Sequence, residues 1–176
     1  MGIKQELERF AGQVGFTLAY LDETTSTNDV ARDPRYDAGA VVIAERQSRG
    51  RGQRGNSWSS SAGANLTFSV VLCPGFLEAA QQFYLSKAVS LAVCDTVESF
   101  DVRPQVKWPN DIYIDGRKVA GILIENDLAG NFLSRSVVGI GINVNQTEFD
   151  PALPNPTSLA VAAGRKLDRA EVFRLF

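Results

Sequence analysis

The chain has no histidine, two cysteines and a single methionine. Without histidine, Ser-His-Asp and Cys-His nucleophilic arrangements are excluded, as is any His-ligated metal. Cys73 and Cys94 are too few for a zinc-cysteine cluster or a disulfide framework. Both read as reduced, mostly buried core thiols of a cytosolic protein. The apolar runs are far shorter than a membrane span. The opening MGIKQELERF has no apolar stretch of the kind that drives secretion. No repeat at solenoid spacing occurs. The net charge of -2 argues against a general nucleic-acid coat protein.

What is present suits a packed enzyme-sized unit. At 176 residues and 44% hydrophobic, the chain fits one domain spanning residues 1–176. Residues 3–11 have helical spacing, with Ile3, Leu7 and Phe10 on one face. Residues 16–21 read as a strand, and Ser26 as the N-cap of a short helix ending before Pro34. The run AVVIA at 40–44 predicts a buried strand, and residues 65–72 alternate as a strand that stops at Pro74. Residues 77–100 carry the longest helical pattern, with Leu85, Ala88, Ala92 and Val93 recurring. The second half reads as a β-meander: strands at 112–114, 119–125 and 132–144, with Asp115-Gly116 as a two-residue turn. Pro151, Pro154 and Pro156 mark a loop, and helical pieces at 158–163 and 169–176 close the chain. This order predicts an α+β fold with a mixed or largely antiparallel sheet and helices on one face.

Four segments are harder to explain as packing. The first runs from Gln47 to Trp58 and contains Gly50, Arg51, Gly52, Gln53, Arg54 and Gly55. Its glycines permit close approach of backbone N–H groups to a ligand. Its arginines suit phosphate or carboxylate, and Trp58 offers a flat face to a ring. A mobile basic surface loop, or an RGG-type RNA-binding segment, explains the same residues. The Walker A spacing is absent. The second is Lys107-Trp108-Pro109-Asn110-Asp111, where Pro109 forces a bend that gathers an amine, an amide and a carboxylate. A charged turn with Trp108 packed in the core is the alternative, and Asp111 suits Mg²⁺. The third runs from Arg117 to Glu125. There Lys118 begins an apolar strand, or is simply an exposed lysine after a turn, and Gly121 marks close approach of a ligand or backbone. The fourth is Val137 to Asn145, in which Gly139 and Gly141 interrupt an apolar run that walls a narrow pocket or forms a bulged strand.

Read in order, Ser26-Thr27-Asn28, the Gly/Arg loop ending at Trp58, KWPND, RKVAGILIE and GIGINVN resemble the biotin protein ligases. The resemblance spans residues 26–145. It implies a mixed α/β fold similar to the class II aminoacyl-tRNA synthetases. It implies that biotin is adenylated with MgATP and passed to one lysine of a biotin carboxyl carrier protein, in the cytoplasm, with no nucleic-acid or membrane partner. A homodimer is among the family's arrangements.

The resemblance also assigns residues. Ser26, Thr27, Gln47, Gly50 and the backbone of Arg51 would bind the ureido ring of biotin. Gly121, Leu123, Gly139, Ile140, Gly141 and Ile142 would wall its slot. Lys118 would contact the biotin carboxylate and the α-phosphate, and Arg51 would order the loop over the adenylate; these two form the catalytic pair. Trp58 would stack on adenine, with Arg54, Lys107, Asn110 and Asn143 on the nucleotide and Asp111 toward Mg²⁺. Where many members have a second arginine the chain has Gln53, with Arg54 beside it as a substitute, and Arg49 replaces a common small residue. An N-terminal winged helix has no room before Ser26, so no DNA-binding role is expected; the chain also stops at Phe176, before the C-terminal SH3-like module that most members carry. The loop is expected to order only on ligand. A lipoate ligase shares the fold, but its Gly/Arg motif is followed by a histidine this chain lacks. A domain that binds biotin without transferring it is the remaining reading.

Overall fold

A computed structural model describes residues 2–176, except for the side chain of Arg54. The elements run α1 (Ile3–Val14), β1 (Leu18–Thr24), α2 (Thr27–Ala31), β2 (Val41–Gln47), β3 (Leu66–Leu72), α3 (Phe83–Glu98), β4 (Pro104–Lys107), β5 (Asp111–Ile114), β6 (Arg117–Ala129), β7 (Phe132–Ile142), α4 (Leu159–Ala163) and α5 (Arg169–Leu175). The strands form one seven-stranded sheet in the order β1-β2-β3-β7-β6-β5-β4. Only β1 and β2 pair in parallel; the other pairs are antiparallel. The β5–β6 turn places Asp115 at φ 49° and Gly116 at φ 74°, as a tight two-residue hairpin turn requires.

Period-two alternation divides the sheet between two faces. Val41, Ile43, Leu66, Phe68, Val138, Ile140 and Ile142 point into the main core, where they meet Leu7 of α1, Val93 and Val97 of α3, Leu159 of α4 and Phe173 of α5. Val42, Val71 and Val137 point the other way and pack with Ala31 of α2 and Tyr36. The helices therefore occupy both faces, not one: α2 is alone among them in contributing to the second core.

Several sequence expectations shift. The long helix begins at Phe83 rather than residue 77, after a short 3₁₀ turn at Ala79–Gln81. Its buried face is Val89, Ser90, Val93, Cys94, Thr96 and Val97, while Ala88 is exposed. Cys94 is buried but Cys73 is exposed. Trp108 is 68% exposed and not a core residue. Ser26 holds the N-cap position of α2, yet its side chain makes no capping bond. The other end of α2 is capped instead: Arg135 of β7 donates from Nη2 to the carbonyls of Ala31 (2.8 Å), Asp33 (3.3 Å) and Tyr36 (2.7 Å). That guanidinium satisfies carbonyls a five-residue helix leaves open and fixes the helix on the sheet.

Candidate active site

The second face of the sheet carries a cavity of about 270 Å³. Its floor is the exposed face of β3, β7 and β6, at Thr67, Gly139, Gly141, Gly121 and Leu123. One wall is the start of α2 and the end of β2, with Ser26, Thr27, Asn28 and Gln47. The Gly/Arg loop closes over it with Arg51, Gly52, Gln53, Asn56 and Trp58. The far wall is the bend before β5 with the start of β6, bringing Lys107, Trp108, Pro109, Asn110, Asp111 and Lys118. Four segments far apart in sequence thus converge on one cavity.

The polar wall is a buried network. The backbone N–H and hydroxyl of Thr27 both reach Gln47 Oε1, at 2.7 and 3.2 Å. The Ser69 hydroxyl lies 2.8 Å from Thr27 Oγ1 and 2.6 Å from Asn28 Oδ1. Asn28 Nδ2 donates to Glu125 Oε2 at 2.8 Å. Buried polar groups keep their positions when their partners are satisfied, so the wall is fixed before any ligand arrives.

The glycines of the floor admit two side chains. A methyl group at Gly139 would come within 3.0 Å of Asn28 Cγ. One at Gly141 would overlap the indole of Trp58, 2.5 Å from Cζ2 and 2.6 Å from Nε1, and one at Gly121 would lie 3.1 Å from Trp58 Cζ3. Trp58 thus lies on the floor expected to receive biotin. The backbone N–H of Trp58 donates to the Gly50 carbonyl at 2.9 Å, closing the loop on itself.

Lys118 reaches this face through a bulge. In the β5–β6 ladder Ile112 faces Ala120 but Tyr113 faces Lys118, so Val119 is the extra residue. Val119 and Ala120 both enter the core. Lys118 therefore returns to the side of Gly121, whose added methyl would lie 3.4 Å from the lysine Nζ. The ammonium pairs with Asp111 Oδ1 at 2.7 Å and stands 5.7 Å from the Trp58 ring centre. The Lys118 backbone is bonded on both sides to the proline-rich segment, from its N–H to the Asn155 carbonyl and from the Thr157 N–H to its carbonyl, each 2.8 Å. Nearby, Lys107 Nζ donates to the Tyr113 hydroxyl at 3.0 Å. That hydrogen bond pushes the lysine pKa up and keeps the amine charged. Asn110 is committed to the backbone: its Nδ2 donates to the Ile122 carbonyl at 2.8 Å.

Some expected residues lie elsewhere. Ile142 is fully buried in the main core on the opposite face and does not line the cavity; Ile140 does line it, between Gly139 and Gly141, although strand alternation sends its side chain into the core. Asn143 does not line the cavity; its Nδ2 donates to the Thr157 carbonyl at 3.0 Å and braces the segment that holds Lys118. Gly50 lies behind the wall, where a methyl would meet Gln47 Nε2 at 2.8 Å. The Arg54 side chain is outside the described residues. Sequence reasoning missed Asn28 as a wall residue although it lies in the Ser-Thr-Asn run; its burial was the absent signal. Thr67 and Ser69 sit on a strand whose alternation already marked them as turned from the core.

The comparisons agree with this geometry. Residues 18–143 match the model of the biotin/lipoate A/B protein ligase family. The chain is 36% identical to the bifunctional ligase/repressor BirA of Bacillus subtilis across 98% of its own length and 53% of that protein. It is also 36% identical to the biotin--[acetyl-CoA-carboxylase] ligase of Paracoccus denitrificans, over 88% of this chain and 68% of that one. In three dimensions it resembles the biotin protein ligase of Aquifex aeolicus in complex with biotin and ATP, with a TM-score of 0.77, 34% identity, and coverage of 90% of this chain and 66% of that one. The chain belongs to the biotin/lipoate A/B protein ligase family. It spans about half the length of its Bacillus relative.

Proposed function

We propose that this chain carries the catalytic unit of a biotin protein ligase. It adenylates biotin with ATP and transfers the biotinoyl group to a lysine of a biotin carboxyl carrier protein in the cytoplasm. The observation that carries the reading is the pairing of ends in one cavity. Ser26, Thr27 and Gln47 form a fixed polar wall suited to a urea-like ring, and Lys118 and Lys107 bring positive charge to the opposite wall. Between them the glycine floor takes the apolar middle of the ligand.

The chemistry needs no protein nucleophile. The biotin carboxylate attacks the α-phosphate of ATP, the bond to the β-phosphate breaks and pyrophosphate leaves; the pentacoordinate state between gathers negative charge. Lys118 Nζ offsets that charge in a site partly screened from water. Asp111 holds this ammonium in place. The acceptor lysine then attacks the acyl carbon and AMP leaves. Among the described residues no group of three His, Cys, Asp or Glu side chains gathers to hold a metal. Mg²⁺ would arrive with the triphosphate, and Asp111 on the cavity wall would be the residue to hold it. The ion would neutralise phosphate charge. No helix among the described residues is long and apolar enough to cross a membrane. The ligase half of the bifunctional relatives, not the repressor half, is what we assign to this segment.

The test is biotin-dependent exchange of labelled pyrophosphate into ATP, run against lipoate in parallel. Exchange with biotin alone supports the assignment; exchange with lipoate alone, or with neither, overturns it.

A further inference from the structure

Ser69 of β3 does not line the cavity, yet its hydroxyl touches two residues of the polar wall. Ser69 Oγ stands 2.6 Å from Asn28 Oδ1 and 2.8 Å from Thr27 Oγ1. Ser69 is 0% exposed, and Thr27 and Asn28 are each 2% exposed, so these groups satisfy one another rather than water. Ser69 faces Gly139 across the β3–β7 ladder, and the absent side chain there leaves room for the Asn28 amide.

The direction of each bond follows from the protons available. The Nδ2 end of Asn28 faces Glu125 Oε2 at 2.8 Å and the Leu123 carbonyl at 3.5 Å, both of them acceptors. The amide therefore turns its oxygen to Ser69, and the Ser69 proton is spent on that oxygen. A serine hydroxyl has one proton, so toward Thr27 it can only accept. The Thr27 hydroxyl proton goes to Ser69 in turn. Gln47 Oε1 is the more distant alternative, at 3.2 Å, and already takes the Thr27 N–H at 2.7 Å. Thr27 lines the cavity, and lone pairs are all its hydroxyl has left to offer there.

We propose that Ser69 is a positioning residue that sets ligand specificity: by taking the Thr27 proton it fixes that hydroxyl as an acceptor, so the wall selects a ring that presents an N–H to it. The proposal rests on the ligase reading for the identity of the ring, a cyclic urea. A ring oxygen in place of that N–H would set acceptor against acceptor where water reaches neither. Without Ser69 the Thr27 hydroxyl is free to turn and donate, and the preference is lost.

The experiment has two arms, each on wild type and Ser69→Ala. In the first, NMR in the cold locates the hydroxyl protons of the ligand-free protein. A slowly exchanging Ser69 hydroxyl proton is expected beside the Asn28 amide, with the Thr27 hydroxyl proton close to the Ser69 β-protons. In Ser69→Ala the Thr27 proton should move toward Gln47. A wild-type Thr27 proton already directed at Gln47, or a Ser69 hydroxyl proton in fast exchange, overturns the proposal, and this wild-type result stands even where the variant folds poorly. The second arm titrates biotin and the cyclic carbamate analogue whose ring oxygen replaces the N–H facing Thr27. Wild type should prefer biotin at least about a hundredfold, as a site built to bond an N–H does, and Ser69→Ala should narrow that ratio at least about tenfold. Equal binding of both by wild type, or an unchanged ratio in Ser69→Ala, overturns it. If wild type binds neither compound the ligase reading fails, and the first arm still decides whether Ser69 fixes the Thr27 proton.

Discussion

The indole of Trp58 rests on Gly141, with no space between them for a methyl group. A loop residue thus forms part of the cavity floor, and the glycine is required by the ring as much as by any ligand. Gly141→Ala should displace the indole at an overpacking cost of about 1–3 kcal/mol. Biotin affinity should fall at least about tenfold, with a changed tryptophan emission. Unchanged emission and affinity would place the ring elsewhere in solution.

Lys118 owes its direction to the bulge at Val119 and its resting place to Asp111. The pair is partly exposed, so its loss costs the fold no more than about 1 kcal/mol. Lys118→Ala should melt close to wild type while biotin adenylation drops at least about a hundredfold, the scale of losing one transition-state contact. A variant that turns over normally would remove this lysine from the chemistry.

The C-terminal helix is fastened by a different pair. Arg169 donates Nη1 to Glu45 Oε2 at 2.8 Å and Nη2 to Oε1 at 3.0 Å, and Nη1 also reaches the Asn65 carbonyl at 3.0 Å. The Tyr20 hydroxyl makes a short hydrogen bond to the same carboxylate. Burial works against ionisation of Glu45, but the bonds from Arg169 and Tyr20 outweigh it and hold its pKa below the ordinary range. A depressed carboxylate contributes stability above its unfolded pKa and loses it as pH falls through the folded one. For Tyr20, burial first and then Glu45 push the phenol upward, so its contribution is complete at neutral pH and is lost only in strong alkali. Arg169→Ala should cost about 2–4 kcal/mol, because it strands a partly buried carboxylate. The fall in melting temperature between pH 6 and pH 3, roughly the range where Glu titrates, should also shrink. A variant whose acid profile matches wild type would show that Glu45 does not govern it.

The two thiols should part company under alkylation. Cys73 is exposed, while Cys94 is buried and its pKa is raised by burial and by the nearby Glu98 and Asp95. Iodoacetamide should label Cys73 on the native protein and reach Cys94 only on unfolding. Equal labelling would mean that α3 is not seated as described.

Alternation and turn chemistry made the strands and the Asp115-Gly116 hairpin legible from sequence, and the order of motifs made the four converging segments legible. The bulge was not, because an extra residue in an apolar run leaves the pattern intact; only the cross-strand register shows why Lys118 and Gly121, three apart, share a face. Nothing in the sequence singles out Arg135, since its three carbonyl partners lie about a hundred positions away. The small residues of α3 hid its register: alanines and valines recur on more than one face, and packing chose Val89, Val93 and Val97. For Ile142 the run GIGIN suggested a continuous wall, whereas strand alternation sends its isoleucines to the core.

The most direct test of the central claim is calorimetric titration of the chain with biotin, without and with MgATP, followed by intact mass measurement of a biotin carboxyl carrier domain added to the same mixture. The account predicts saturable biotin binding, strengthened by MgATP, and a carrier heavier by one biotinoyl group on a single lysine. Absence of biotin binding, or a carrier of unchanged mass after binding, would contradict it.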